Sequence, residues 1–451
     1  MSDVLKQALK LVEPTQREID HVQKVANKVF PLIKEASSKF NGVVEVIFGG
    51  SYAKDTWLKN DVDIDIFVKV RSDIDEKEFE NIGRQLGSYA LKKYNPYLRY
   101  SEHPYVEAFV DKIRVNVVPC YDVEKGHWKS AADRSPYHTQ LIKKSFDEEK
   151  KREARLLKKF MKAVGVYGAE IATNAFSGYV CEVLVLKYGT CMAVLQAAAE
   201  FKEKQVISLE SVDGDIVKLF NSALIIIDPV DNRRNLGTAI SDESVGRLIL
   251  AARRFVAKPD IKFFKTSSIR KPLKFADNLI LVKFNYKKRS PDIIWGQLKS
   301  SVKAVARQLS IHGFRVIRYT TSTDEKGNAV FVFMLESMRL PKMIVRQGPK
   351  VFDRNDSERF LEKNLKNSRM IWVNDEVRLF ALLDNKFVDA NAFLRFLLSK
   401  NINASGISTG LISDIRKGFQ IYSGDKVKNV KEGFAKESIG ELVTTDQFAF
   451  G

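Results

Sequence analysis

The sequence has few of the residues that would tie it to an oxidising compartment or a metal cluster. Its three cysteines, Cys120, Cys181 and Cys191, show neither metal-ligand spacing nor a disulfide framework, which suits a reducing compartment. The five histidines are scattered. No apolar run approaches the ~20 residues that cross a bilayer; those near Val183 and Leu224 are far too short. Without a recognisable leader, a soluble cytoplasmic protein with no membrane partner is expected. Internal repeats and low-complexity segments are also missing. Acidic residues are outnumbered, 56 against 74 Lys and Arg, for a formal net charge of +18. That excess points to a polyanion, nucleic acid first. With 45% apolar residues the chain is rich enough for packed cores, and its length suggests two to four domains.

The most informative stretch is VEVIFGGSYAKDTWLKNDVDIDIFVKV, Val44 to Val70. An apolar run ends at Gly49-Gly50-Ser51, and an alternating strand then carries Asp63 and Asp65. Side chains two apart on a strand share a face, so the carboxylates project together while Ile64 and Ile66 pack the other way. Such a pair is costly unless a cation lies between its members, and Mg²⁺ suits carboxylates plus substrate phosphates. A Gly-Gly-Ser turn lets backbone N–H groups approach an anion. The combination reads as phosphoryl or nucleotidyl transfer. Each part alone is common on protein surfaces; with eleven residues between Ser51 and Asp63, the whole resembles the signature of the polymerase-beta nucleotidyltransferase superfamily. Asp61 has the same parity and is a reserve ligand, although Asn60 beside it suggests a turn.

Elsewhere the pattern is structural. Thr15 and Glu18 form a capping box for a helix with Val22, Val25, Val29 and Ile33 at helical spacing and a kink expected at Pro31. Glu76 to Tyr94 reads as a surface helix, and Tyr105–Val110 and Ile113–Val118 as strands. Arg114 and Asn116 face away from Val115 and Val117. Residues 122 to 137 read as loop. A helix from about Ser145 carries Lys150, Lys151, Arg152, Arg155, Lys158, Lys159 and Lys162 on a solvated face, in part available to RNA. An apolar helix is expected from Tyr179 to Leu195. Beyond Pro259 the order strand, helix (Pro291 to His312), strand, strand suggests a small α+β module. The last fifty residues read as basic and loop-rich.

In order along the chain, FGGSYAKDTWL, DVDIDIFV, EHPYVEAF, VVPCY, DRSPYH, RLLKKFMKAVGVYGAE, FSGYVCEVL, DPVDNRRN and SPDIIWGQLK resemble the archaeal class I CCA-adding enzymes, which are tRNA nucleotidyltransferases. The likeness runs from Pro14 to about Pro349. It implies addition of C, C and A to the tRNA 3′ end from CTP and ATP, with Mg²⁺ and no nucleic-acid template. It further implies that Gly50, Ser51 and Lys54 meet the triphosphate, and that Asp63 and Asp65 hold metal. By the same likeness His138, Lys158 and Tyr167 line the nucleotide pocket, and Arg234 reads the incoming base. The tRNA partner would be held by its acceptor arm and 3′ end; a homodimer is left open.

The fold class expected is α+β and multidomain. A catalytic head over 1–140 would be followed by a helical neck over 141–258 and an α+β body and tail over 259–451 that binds tRNA. One departure stands out. The family has an Asp at the position of Asn116, where it completes the catalytic and metal-binding set. Asparagine carries no charge and takes no proton, so catalysis should be impaired. A deliberate Asp→Asn replacement that traps substrate accounts best for the otherwise intact motifs; a natural variant or a non-catalytic tRNA-binding relative would carry the same residue. A poly(A) polymerase-like or oligoadenylate-type enzyme is the rival activity.

Overall fold

The computed structural model describes residues 2–100, 102–265 and 275–444. They fall into two compact units that meet in sequence between residues 269 and 270.

The first unit opens with α1 (Ser2–Val12) and α2 (Gln16–Ser37). The capping box forms as its residues dictate, and α2 continues through Pro31. A five-stranded sheet follows, with β1 (Val43–Gly49), the one-turn α3 (Gly50–Lys54), β2 (Asp63–Arg71), α4 (Glu76–Ala90), β3 (Tyr97–Tyr100), β4 (Pro104–Val110) and β5 (Ile113–Asp122). The strand order is β1-β2-β5-β4-β3. Only β2 and β5 run parallel, which sets Asp63 and Asp65 beside the start of β5. Val22, Val25, Val29 and Ile33 of α2 and Phe79, Ile82 and Leu86 of α4 bury Ile64, Ile66 and Val117.

The rest of this unit is mainly helical, with one parallel strand pair: α5 (Arg134–Ser145), α6 (Glu148–Ala163), α7 (Gly178–Tyr188), α8 (Cys191–Ala199), β6 (Gln205–Ile207), α9 (Gly214–Lys218), β7 (Leu224–Ile226) and α10 (Asp242–Ala257). Three expectations are corrected here. The segment read as loop up to Tyr137 becomes α5 from Arg134, because Ser130 and Asp133 form a capping box ahead of it. The next helix starts at Glu148 and not Ser145, capped by Asp147. The single helix expected from Tyr179 to Leu195 is two helices bent by 91°, since Gly189 has positive φ and Thr190 caps a new start. Among the described residues no single helix is long and apolar enough to cross a membrane.

The second unit has β8 (Leu279–Asn285), α11 (Pro291–His312), β9 (Val316–Thr323) and β10 (Asn328–Leu335), in the expected order. Then come β11 (Met343–Lys350), α12 (Arg354–Asn364), β12 (Ser368–Val373), β13 (Arg378–Asp384), α13 (Ala390–Lys400), α14 (Thr409–Lys417), β14 (Phe419–Ser423) and α15 (Gly433–Val443). The sheet β14-β8-β10-β9 buries one face against α11, α13 and α14 and the other against α15. The terminal segment is therefore regular structure as far as residue 444: Leu411 and Ile415, Ala435, Ile439 and Leu442 recur at helical spacing among its lysines.

Candidate active site

The two carboxylates meet their neighbours at the starts of β2 and β5. Register places Asp63 opposite Arg114 and Asp65 opposite Asn116. The Arg114 guanidinium grips Asp63 with two bonds of 2.7 Å, the bidentate geometry that suits guanidinium to carboxylate. The Asn116 amide donates to Asp65 Oδ1 at 2.9 Å. Its own Oδ1 is buried without a hydrogen-bond partner. Burial, and then Asp63 nearby, push the Asp65 carboxyl above the usual carboxylate range, against the bond from Asn116. Gly50 caps this corner with φ +61°, and a Cβ there would lie 1.8 Å from Asp65 Oδ2. Only glycine fits a left-handed residue pressed against that carboxylate.

Behind the turn lies a buried ionic cluster. Glu182, wholly buried on α7, accepts from Lys54 at 2.5 Å, Lys158 at 2.7 Å and Thr56 Oγ1 at 2.5 Å. Lys158 also donates to Thr56 O at 3.0 Å. Burial opposes the charge on Glu182, yet the two ammonium groups hold its carboxyl down at about 2. Burial draws the Lys158 ammonium below its ordinary range. The Tyr167 hydroxyl is packed close to Gly178, where a Cβ would lie 3.0 Å from it, and the same point is 3.5 Å from Lys158 Cε.

A third cluster gathers on Asp228, just after β7. This fully buried carboxylate bonds His138 Nε2 at 2.9 Å, the Tyr179 hydroxyl at 3.3 Å and Arg234 at 3.3 Å. His138 and Tyr179 stack with centroids 3.8 Å apart. Burial lowers the affinity of His138 for a proton, which Asp228 only partly restores. Lys54 lies over the Tyr179 ring at 5.6 Å, so the three clusters form one continuous wall.

Sequence reasoning thus found residues that converge, with two qualifications. Lys54 and Lys158 are 7% and 1% exposed and are held by Glu182, so Lys158 lies behind the pocket wall and does not line it. The basic face of α6 is solvated only in part: Arg152 and Lys162 are exposed, while Arg155 and Lys158 are buried. Arg155 bonds Asp55 Oδ1 at 2.6 Å and the Trp57 carbonyl at 3.0 Å, and Lys162 pairs with Asp61 at 2.6 Å. Reasoning missed Arg114, Glu182 and Asp228. The signal for Glu182 was a lone acid within an apolar helix; Asp228 stood in the DPVDNRRN stretch. Elsewhere in the unit, ligand atoms of Glu76, Glu80 and His103 come within 4.8 Å of one another, but Arg84 already binds Glu80 at 2.8 Å.

Profiles described as nucleotidyltransferase domain, tRNA nucleotidyltransferase second domain, and CCA-adding enzyme C-terminal domain match residues 31–138, 152–265 and 276–424. A CCA-adding enzyme of Pyrobaculum islandicum is 34% identical over 89% of this chain and 94% of its own length. That of Pyrobaculum neutrophilum is 37% identical over 81% and 86%, and that of Saccharolobus solfataricus 34% over 86% and 90%. Among solved structures, a cytoplasmic RNA terminal U-transferase covers 60% of this chain and 100% of its own at 15% identity and TM-score 0.47.

Proposed function

Since the chain belongs to the CCA-adding enzyme family, we propose that the wall described above is where it extends the tRNA 3′ end from CTP and ATP. The activity is that of a tRNA nucleotidyltransferase. The observation that carries the placement is the convergence of Asp63, Asp65 and the unpartnered Asn116 oxygen on one corner, below a turn that only Gly50 can make.

That corner fits a divalent cation, proposed as Mg²⁺. Two carboxylates and a free buried oxygen are the hard donors such an ion takes, and Arg114 now balances part of their charge. Asp63, Asp65 and Asn116 would hold it. Bound there, it supplies charge neutralisation at the triphosphate and a lowered pKa for the primer hydroxyl. The chain's own residues do the rest. Gly50 and Ser51 bring backbone close to the phosphates. Lys54, fixed by Glu182, adds fixed positive charge beside Asp65. His138 and Tyr179 form a stacked surface, and Arg234, oriented by Asp228, faces the base. The RNA 3′-hydroxyl attacks the α-phosphorus in line, its proton leaves to solvent, and pyrophosphate departs. The carboxamide of Asn116 cannot take that proton.

The metal reading is tested by Mn²⁺ titration followed by electron paramagnetic resonance. One tightly bound ion per chain is expected, bound more tightly in Asn116→Asp. Equal affinity in both forms, or no tight binding in either, would contradict the assignment of residue 116 to the metal corner. The head, neck, body and tail divisions stay part of this reading, as does a cytoplasmic setting beside tRNA. So does a homodimer, supported by exposed apolar residues on the sheet β11-β13-β12, Met343, Val345 and Met370; light scattering giving a single-chain mass at micromolar concentration would contradict it.

A further inference from the structure

A cavity of about 630 Å³ in the first unit lies against the Asp228 cluster and shares Arg234 with it. None of the roles assigned above uses its other residues. One wall is Trp128, whose indole carries the Arg134 guanidinium at 5.2 Å and is braced edge-on by Tyr137 at 5.3 Å. Arg134 is fixed and neutralised by Asp231 at 2.8 Å. Asp231 also accepts the backbone N–H of Arg233 at 3.3 Å, which holds the Arg233 turn at the cavity mouth. The Arg233 guanidinium is exposed and has no partner among the described residues, and the Trp128 indole N–H is buried without an acceptor. The rim is small: Gly126, Thr238 and Ala239 are exposed.

We propose that this cavity is a subsite for one nucleotide of the RNA strand just upstream of the growing 3′ end, its base stacked on the Trp128–Arg134 pair and its phosphate on Arg233. Each element matches a need. Unpaired bases are recognised by aromatic and guanidinium planes. A braced, neutralised pair gives a rigid plane, while a free guanidinium takes a phosphate bidentately. The small rim leaves room for a ribose-phosphate chain to enter and leave, which an enclosed mononucleotide pocket would not need. The shared Arg234 places this base beside the incoming one. The inference rests on the assignment of RNA extension to this wall.

Equilibrium binding of end-labelled tRNA tests it without turnover. The probes are tRNA with a single-stranded 3′ end, the same acceptor stem made blunt, and CTP alone. Trp128→Ala is expected to weaken binding of the overhang tRNA on the order of tenfold. Trp128→Phe keeps a stacking plane and should stay within about threefold, so a misfolded Ala variant cannot decide the matter. Arg233→Ala should lower the slope of log affinity against log salt by about one. Blunt tRNA and CTP should bind all variants alike. Unchanged affinity for overhang tRNA, or equal losses for blunt tRNA, overturns the subsite; a loss for CTP in place of RNA assigns the cavity to the incoming nucleotide and overturns it too. If nucleotide addition fails in every form while these RNA differences persist, the subsite stands and the catalytic reading falls.

Discussion

Asn116→Asp should add nucleotides roughly a hundredfold to ten-thousandfold faster than the chain as it stands, by the few kcal/mol that one charged ligand is worth at such a site. Register sets residue 116 directly opposite Asp65, with its amide 2.9 Å from that carboxylate. An Asp there faces Asp65 at hydrogen-bonding range with the second oxygen in the place of the now unpartnered Asn116 Oδ1. Two carboxylates at that distance repel. The Asp form should therefore melt lower than the Asn form in chelator, and Mg²⁺ should recover the difference. Single-turnover rates with a truncated tRNA and CTP check the first part, and melting with and without Mg²⁺ the second. Equal rates in both forms would show that the charge at 116 does not limit the chemistry.

Glu182→Gln should cost about 3–5 kcal/mol of unfolding free energy in the transition of the first unit, the range found when one partner of a buried ion pair is removed. Glu182 is fully buried and faces two ammonium groups, those of Lys54 and Lys158. The amide keeps an acceptor but leaves both charges uncompensated. The same pairing gives a pH dependence. The Glu182 carboxyl is held at about 2, below its ordinary value of 4.5. A carboxyl depressed in the folded state stabilises above its unfolded pKa. That stability is fully present above pH ~4.5 and is lost as pH falls toward ~2. Urea unfolding from pH 7 to 3 should show the native chain losing stability in that window, while Glu182→Gln loses less. A substitution costing under 1 kcal/mol would mean that the cluster contributes little.

What could be read from the sequence was local. Asp63 and Asp65 share a face because strands alternate, Gly50 marks a turn, and Thr15 with Glu18 caps a helix; each depends on residues within a few positions. What escaped depends on distance along the chain. Arg114 reaches Asp63 across 51 residues, and Lys54 reaches Glu182 across 128. The charges on α6 show the same limit. Helical spacing placed Arg155 and Lys158 on its polar side, but that side packs on Asp55, Thr56 and Trp57. A basic stripe does not reveal whether water or a carboxylate waits opposite. Asn116 was legible as a departure because its neighbours matched a known pattern; its unpartnered oxygen was visible only in three dimensions.

The most direct test of the account gives the Asn116→Asp form a tRNA lacking its terminal CCA and reads products at single-nucleotide resolution. With CTP and Mg²⁺ alone, the reaction should stop after two additions. With CTP and ATP it should add a third nucleotide and stop. An extended A tail, continued addition beyond three nucleotides, or no addition by that form while it still binds tRNA would contradict it.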